Sequence, residues 1–158
     1  MHPRAAEFKR RVAEEHEIEI EIHEFPEGTK TAADAADAVG CSVAQIASGI
    51  VLSADGGLVV SITSGANRAS QAKIAAEVDA DPEAVTMAGA DEIKRTLGWS
   101  IGGVPPICHD ASVPLFFDET LLDHPEVWAA AGTPEAVFPI DPETLAELAG
   151  ATIADVRE

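Results

Sequence analysis

The sequence predicts an α+β domain with a mixed sheet, and three observations carry the prediction. Helical and strand-like apolar patterns alternate along the whole chain. Two apolar runs, Ile50 to Leu52 and Leu58 to Thr63, flank Asp55, Gly56 and Gly57, the mark of an antiparallel hairpin. No linker, repeat or low-complexity tract divides the 158 residues, so one domain is expected throughout. The hairpin is what argues against a purely parallel sheet.

Taken in order, Ala5, Phe8 and Val12 keep helical spacing, after which Ile18, Ile20 and Ile22 alternate with Glu19, Glu21 and His23 as in a half-buried strand. Ala32, Ala35, Ala36 and Val39 follow the i, i+3, i+4, i+7 rule, with Thr31 as N-cap, Asp34 three residues on and Gly40 at the close. After the hairpin, Ser70 to Val78 reads as helix. Ala90 to Leu97 reads as another, with Ile93 and Leu97 stacked and Gly98 as terminator. Strand-like pieces recur at Val113 to Asp118, Val127 to Ala131 and Ala136 to Ile140. Asp141 and Pro142 stand where an N-cap and first helical residue belong, Leu145 and Leu148 face inward, and Gly150 ends the helix.

Charge is the strongest compositional signal. Twenty-eight Asp and Glu against ten Lys and Arg give a net charge of −18. Near 1 M salt the Debye length falls to about 3 Å and such self-repulsion largely vanishes, so the charge points to adaptation to high salt, the alternative being an ordinary acidic cytosolic protein. The measurement is unfolding against KCl: the midpoint should rise toward molar salt, and an unchanged or falling midpoint rejects the adaptation. No apolar run approaches the roughly 18 residues of a membrane span, and the N-terminus lacks a secretory apolar core, which makes the cytoplasm the default expectation. Two cysteines, Cys41 and Cys108, without C-x-x-C spacing, make a disulfide framework or zinc knuckle unexpected; no metal and no cofactor is called for.

The segment SIGGVPPICHD, Ser100 to Asp110, concentrates the most restrictive residue types of the chain. Pro105 and Pro106 hold φ near −65° and lack N–H groups, while Gly102 and Gly103 permit close backbone approach. Such a segment is either a structural corner or a rigid cradle that offers main-chain donors.

The phrases QIASGIVL, SGANRASQAKIA, LGWSIGGVPPICH, AAAGTPEAVF and ATIADV, in that order, resemble the YbaK/EbsC family of prolyl-tRNA editing, or aminoacyl-tRNA deacylase, domains over about Thr29 to Val156. Residues 1–28 would then be an N-terminal helix and first strand preceding the family match. The resemblance implies a single domain with a mixed, mostly antiparallel, barrel-like sheet flanked by helices. It also implies a trans-acting hydrolase for mischarged tRNA of the Ala- or Cys-tRNA(Pro) type, whose partner is the aminoacylated 3′ end, with no membrane. The oligomeric state, monomer or homodimer, is left open.

In the chemistry so implied, backbone N–H groups of Gly102 and Gly103 meet the oxygen of the tetrahedral intermediate. A neighbouring ribose hydroxyl of the tRNA helps activate the water, so no triad is needed. Substrate contacts are implied at Val104, Pro105, Pro106, His109, Lys73, Ser64, Gly132 and Thr133. Val104, Ile107 and Cys108 either line a small selective pocket or belong to the core.

The chain departs from the family at Ser48, which stands where relatives carry a catalytic lysine, and a hydroxyl cannot replace an ammonium. Lys73 and Lys30 are the lysines that could compensate; the alternative is a homologue that binds tRNA 3′ ends or nucleotides without turnover, or a purely structural domain. Cys108 replaces the usual glycine before His109, suggesting an altered backbone path or a narrower pocket, and His109 is expected to fix the loop by hydrogen bonding. The central cations, Arg68, Lys73, Lys94 and Arg95, are interspersed with acids.

Overall fold

A computed structural model describes residues 1–29 and 31–158; Lys30 lies outside the described residues. Among the described residues five α-helices are present: α1 (Pro3–His16), α2 (Ala32–Val39), α3 (Gln71–Glu77), α4 (Ala90–Leu97) and α5 (Pro142–Ala149). Their ends are where the capping chemistry puts them. Thr31, Ser70 and Asp141 side chains accept the third backbone N–H of α2, α3 and α5, and Gly40, Gly98 and Gly150 close α2, α4 and α5 in the left-handed region.

Eight strands among the described residues form one mixed sheet: β1 (His23–Glu24), β2 (Ile46–Ala54), β3 (Gly57–Ser64), β4 (Val85–Met87), β5 (Leu115–Asp118), β6 (Val127–Ala130), β7 (Ala136–Ile140) and β8 (Thr152–Ala154). The order is β1-β7-β6-β2-β3-β5-β8, with β4 on β2. The pairs β1·β7, β2·β3, β2·β4 and β6·β7 run antiparallel, and β2·β6, β3·β5 and β5·β8 parallel. The hairpin closes with Ala54 opposite Gly57. Asp55 (φ 51°) and Gly56 (φ 89°) take the two positive-φ positions that a type I′ turn demands.

One expected strand changes form. Ile18, Ile20 and Ile22 do turn toward the core, yet ladder pairing begins only at His23. Alternation reports which face a side chain takes and says nothing about whether the backbone finds a partner strand. The main core gathers Phe8, Val12, Val60, Ile62, Trp99, Phe117 and Phe138 between α1 and one face of the sheet. A second cluster, Leu52, Val59, Ile74 and Phe116, lies under α3, and a third, Ala35, Ala36, Ile46 and Val137, under α2. No helix among the described residues is long and apolar enough to cross a membrane.

Candidate active site

The site begins with the alternation of β2. Ala47 and Val51 belong to the main core, whereas Ile46 packs with the α2 cluster and Ile50 and Leu52 with the α3 cluster. Ser48 therefore shares the outer face, between those two helices. Thr63 stands opposite Ser48 and Ser61 opposite Ile50, and the two β3 hydroxyls bond each other at 2.9 Å. Ser48, Ile50 and Thr63 thus floor a cavity of about 1020 Å³, walled by Ala32 and Ala35 of α2, the start of α3, Met87, Ile101 and Trp128. That volume is at the upper end for small-ligand sites and exceeds what an amino acid alone would fill. The Ser48 hydroxyl has no hydrogen-bond partner among the described residues.

The Gly-Gly-Val-Pro-Pro segment crosses an interruption in the sheet. On the edge opposite β3, β2 pairs with β6 only at Ile46 and Ala47 and with β4 only from Leu52 onward. The loop fills the space between. The Val104 carbonyl comes so near Gly49 that an added Cβ there would sit 3.3 Å from it.

Its two glycines do different work. Gly102 (φ 88°) occupies the positive-φ position of a turn closed by the Gly103 N–H donating to the Ser100 carbonyl at 3.0 Å. A Cβ on Gly103 would lie 2.5 Å from the Thr133 carbonyl carbon and 2.9 Å from the Pro134 nitrogen, so this residue is glycine because another backbone passes against it. Of the two amides expected as free donors, Gly103 is engaged within the turn. The Gly102 N–H and the Val104 N–H have no partner among the described residues, and both residues line the cavity.

The remaining expected residues divide. Ser64 lines the cavity, but its hydroxyl is committed, donating to the Ala44 carbonyl at 2.8 Å and accepting from the Ala66 N–H at 3.3 Å. Pro105 and Pro106 are buried within the loop and Thr133 is buried against it; the Thr133 hydroxyl accepts from the Glu135 N–H. Gly132 (φ 93°) makes room for the Trp99 ring, which would stand 2.7 Å from an added Cβ. His109 fastens the loop, its Nε2 donating to the Pro105 carbonyl at 2.7 Å; a carbonyl only accepts, so Nε2 carries the proton. Burial lowers the His109 pKa, partly offset by that bond. Lys73 points elsewhere and pairs with Asp155 at 2.9 Å.

Cys108 adopts φ 64°, a left-handed conformation of the kind glycine takes readily, here with a side chain attached. The thiol is buried, which pushes its pKa up to about 12 and leaves it unreactive as a nucleophile at neutral pH. Its sulfur, Glu15 and His16 bring ligand-type atoms within 4.8 Å of one another. The Arg11 guanidinium already bonds Glu15 at 2.9 Å, a fixed positive charge that opposes a cation at that spot.

Sequence reasoning assigned no role to Asn67, Asp118 or Trp128 and gave Arg68 no place at the site. Arg68 is the only cation lining the cavity among the described residues; its side chain is 87% exposed and stands 3.9 Å from Glu158. Asp118 is fully buried and receives the Ser64 N–H at 3.0 Å, the Thr120 N–H at 3.0 Å, the Thr120 hydroxyl at 2.8 Å and the Asn67 amide at 2.9 Å. The one signal available was a charged residue closing the apolar strand LFFD.

A family model described as an aminoacyl-tRNA editing domain matches residues 26–148. No curated protein matches the chain. Among solved structures, a candidate trans-editing enzyme for prolyl tRNA synthetase is 36% identical, with TM-score 0.90, over 100% of this chain and 99% of that one. A scaffold protein used for epitope backbone grafting by computational design is 34% identical with TM-score 0.91, again over 100% and 99%. A hypothetical protein is 25% identical over 96% of this chain and 99% of its own, with TM-score 0.85.

Proposed function

The chain belongs to the aminoacyl-tRNA editing domain family, and from that premise we propose that it hydrolyses, in trans, the ester joining a wrong amino acid to tRNA, of the alanyl- or cysteinyl-tRNA(Pro) type. The observation that carries this reading is the pair of partnerless N–H groups on Gly102 and Val104 at a cavity floored by Ser48. An ester carbonyl held there would receive main-chain hydrogens as its oxygen becomes negative, each donor being worth about 10²–10³ in rate. Water adds to the carbonyl carbon, the C–O bond to ribose breaks, and the ribose oxygen leaves with a proton; the products are a free amino acid and an uncharged tRNA end. The buried loop, held by His109 and by the seat of Gly103 on Thr133, keeps those donors aimed without reorganisation.

The test is release of amino acid from alanyl- and cysteinyl-tRNA(Pro) in molar KCl, the medium chosen because a salt-adapted cytoplasmic protein would work there. Hydrolysis above the buffer rate is expected, and no turnover with any mischarged tRNA removes the proposal. Arg68 is assigned to a tRNA phosphate. Arg68→Ala should weaken tRNA binding and reduce the slope of log affinity against log salt by about 0.7 to 0.9; an unchanged slope removes that assignment.

A second reading, binding of the tRNA end without turnover, is favoured by the uncharged Ser48 and by the pairing of Lys73 with Asp155. Ser48→Lys separates the two. A diminished enzyme should gain at least tenfold in hydrolysis from an ammonium at this point of the floor, and a binding protein with no machinery around it should gain nothing.

A further inference from the structure

Building on the deacylase reading, we infer that Asn67 selects substrates with a free α-ammonium, its side-chain oxygen accepting a hydrogen bond from that group. The orientation of its amide follows from what surrounds it. Asn67 Nδ2 lies 2.9 Å from Asp118 Oδ2 and 2.9 Å from Thr120 Oγ1. An ionised carboxylate can only accept. The Thr120 hydroxyl has spent its hydrogen on Asp118 Oδ1, at 2.8 Å, and so can only accept from Asn67. Both amide hydrogens are committed, and the opposite flip would set oxygen against oxygen at two contacts.

Asn67 Oδ1 is therefore an acceptor of fixed position with no partner among the described residues, on a residue that lines the cavity. Two hydroxyls close to it in the chain are already engaged. The Ser64 hydroxyl is engaged on both sides and the Thr63 hydroxyl is bonded to Ser61. The chemistry also favours a cationic donor over a neutral one. A buried carboxylate behind the NH₂ group polarises the amide and adds negative character to the far oxygen, the cooperative strengthening expected of hydrogen-bond chains. An aminoacyl ester brings one ammonium, on the carbon next to its carbonyl.

The test uses two non-hydrolysable probes, 3′-alanylamino-3′-deoxyadenosine and its N-acetylated form, with binding measured by calorimetry in molar KCl. The free-amine probe should bind at least tenfold tighter to the natural protein, and Asn67→Ala should bring the ratio close to one. Asn67 is the only asparagine in the chain. Asparagine-selective ¹³C labelling therefore gives a single side-chain carbonyl resonance in the unmutated protein, which should shift with the free-amine probe and stay in place with the acetylated one. This reading does not depend on the variant folding.

Equal affinity for the two probes, or a resonance indifferent to the amine, overturns the inference even if esters are hydrolysed. Amine preference with the expected shift but no turnover supports the inference and removes the deacylase reading. Failure of both probes to bind removes both.

Discussion

Gly103→Ala should lower the unfolding free energy by about 1–3 kcal/mol and reduce ester hydrolysis by about 10²-fold or more. The new methyl group would meet main-chain atoms of Thr133 and Pro134 at 2.5–2.9 Å. Neither neighbour can rotate aside as a side chain would. The loop has to lift from its seat, and Gly102 and Val104 move with it. Gly89→Ala is the matched control, because an added Cβ there has nothing within 4 Å and its φ is −78°. Thermal unfolding and single-turnover hydrolysis on both variants decide the matter. A Gly103→Ala protein with the natural midpoint and rate would show that the contact with Thr133 does not position the loop.

Asp118→Ala should be more damaging to the fold, costing about 3 kcal/mol or more. It leaves the buried Ser64 N–H without its acceptor, along with the part-buried Thr120 N–H and one of the two Asn67 amide hydrogens, and an unsatisfied buried donor costs about 1–3 kcal/mol. The same carboxylate sets a pH dependence. Burial by itself raises its pKa, but hydrogen bonds from Asn67, Thr120 and Ser64 outweigh that and hold it below the usual carboxylate range. A carboxyl with a lowered folded pKa contributes stability that is complete above its unfolded value, about 3.9, and is lost as pH falls through the folded one. Urea unfolding from pH 6 down to pH 3 should therefore fall less steeply for Asp118→Asn than for the natural protein, the difference isolating this group from the other acids. Parallel curves would show that Asp118 is not ionised by its donors as described.

Local chemistry was legible in the sequence. The limits of α2, α4 and α5 were readable because their caps lie within a few residues of the helices they close: Thr31 with Gly40, Gly98, Asp141 with Gly150. The three-residue strands β4 and β8 were not, since Val-Thr-Met and Thr-Ile-Ala are too short for a period and are largely exposed. At the site the same division holds. The glycine-proline loop and the serine in the lysine's place were visible as motifs. What each does was decided by partners far along the chain: Gly103 by Thr133, Asn67 by Asp118 51 residues on, and Lys73 by Asp155 82 residues on. Spacing carries no trace of such pairings.

The break in the sheet at Ser48 to Ile50 also matters before the fold is complete. Until residues 101–104 dock, the middle of β2 presents bare main-chain groups along SGIV, a short β-forming stretch without charge or proline. Any chain whose loop has not yet settled is a template for another molecule's strand. Recovery of native protein from denaturant should accordingly drop as protein concentration rises, since the crossing at residues 101–104 covers this edge only once it has docked against Gly49.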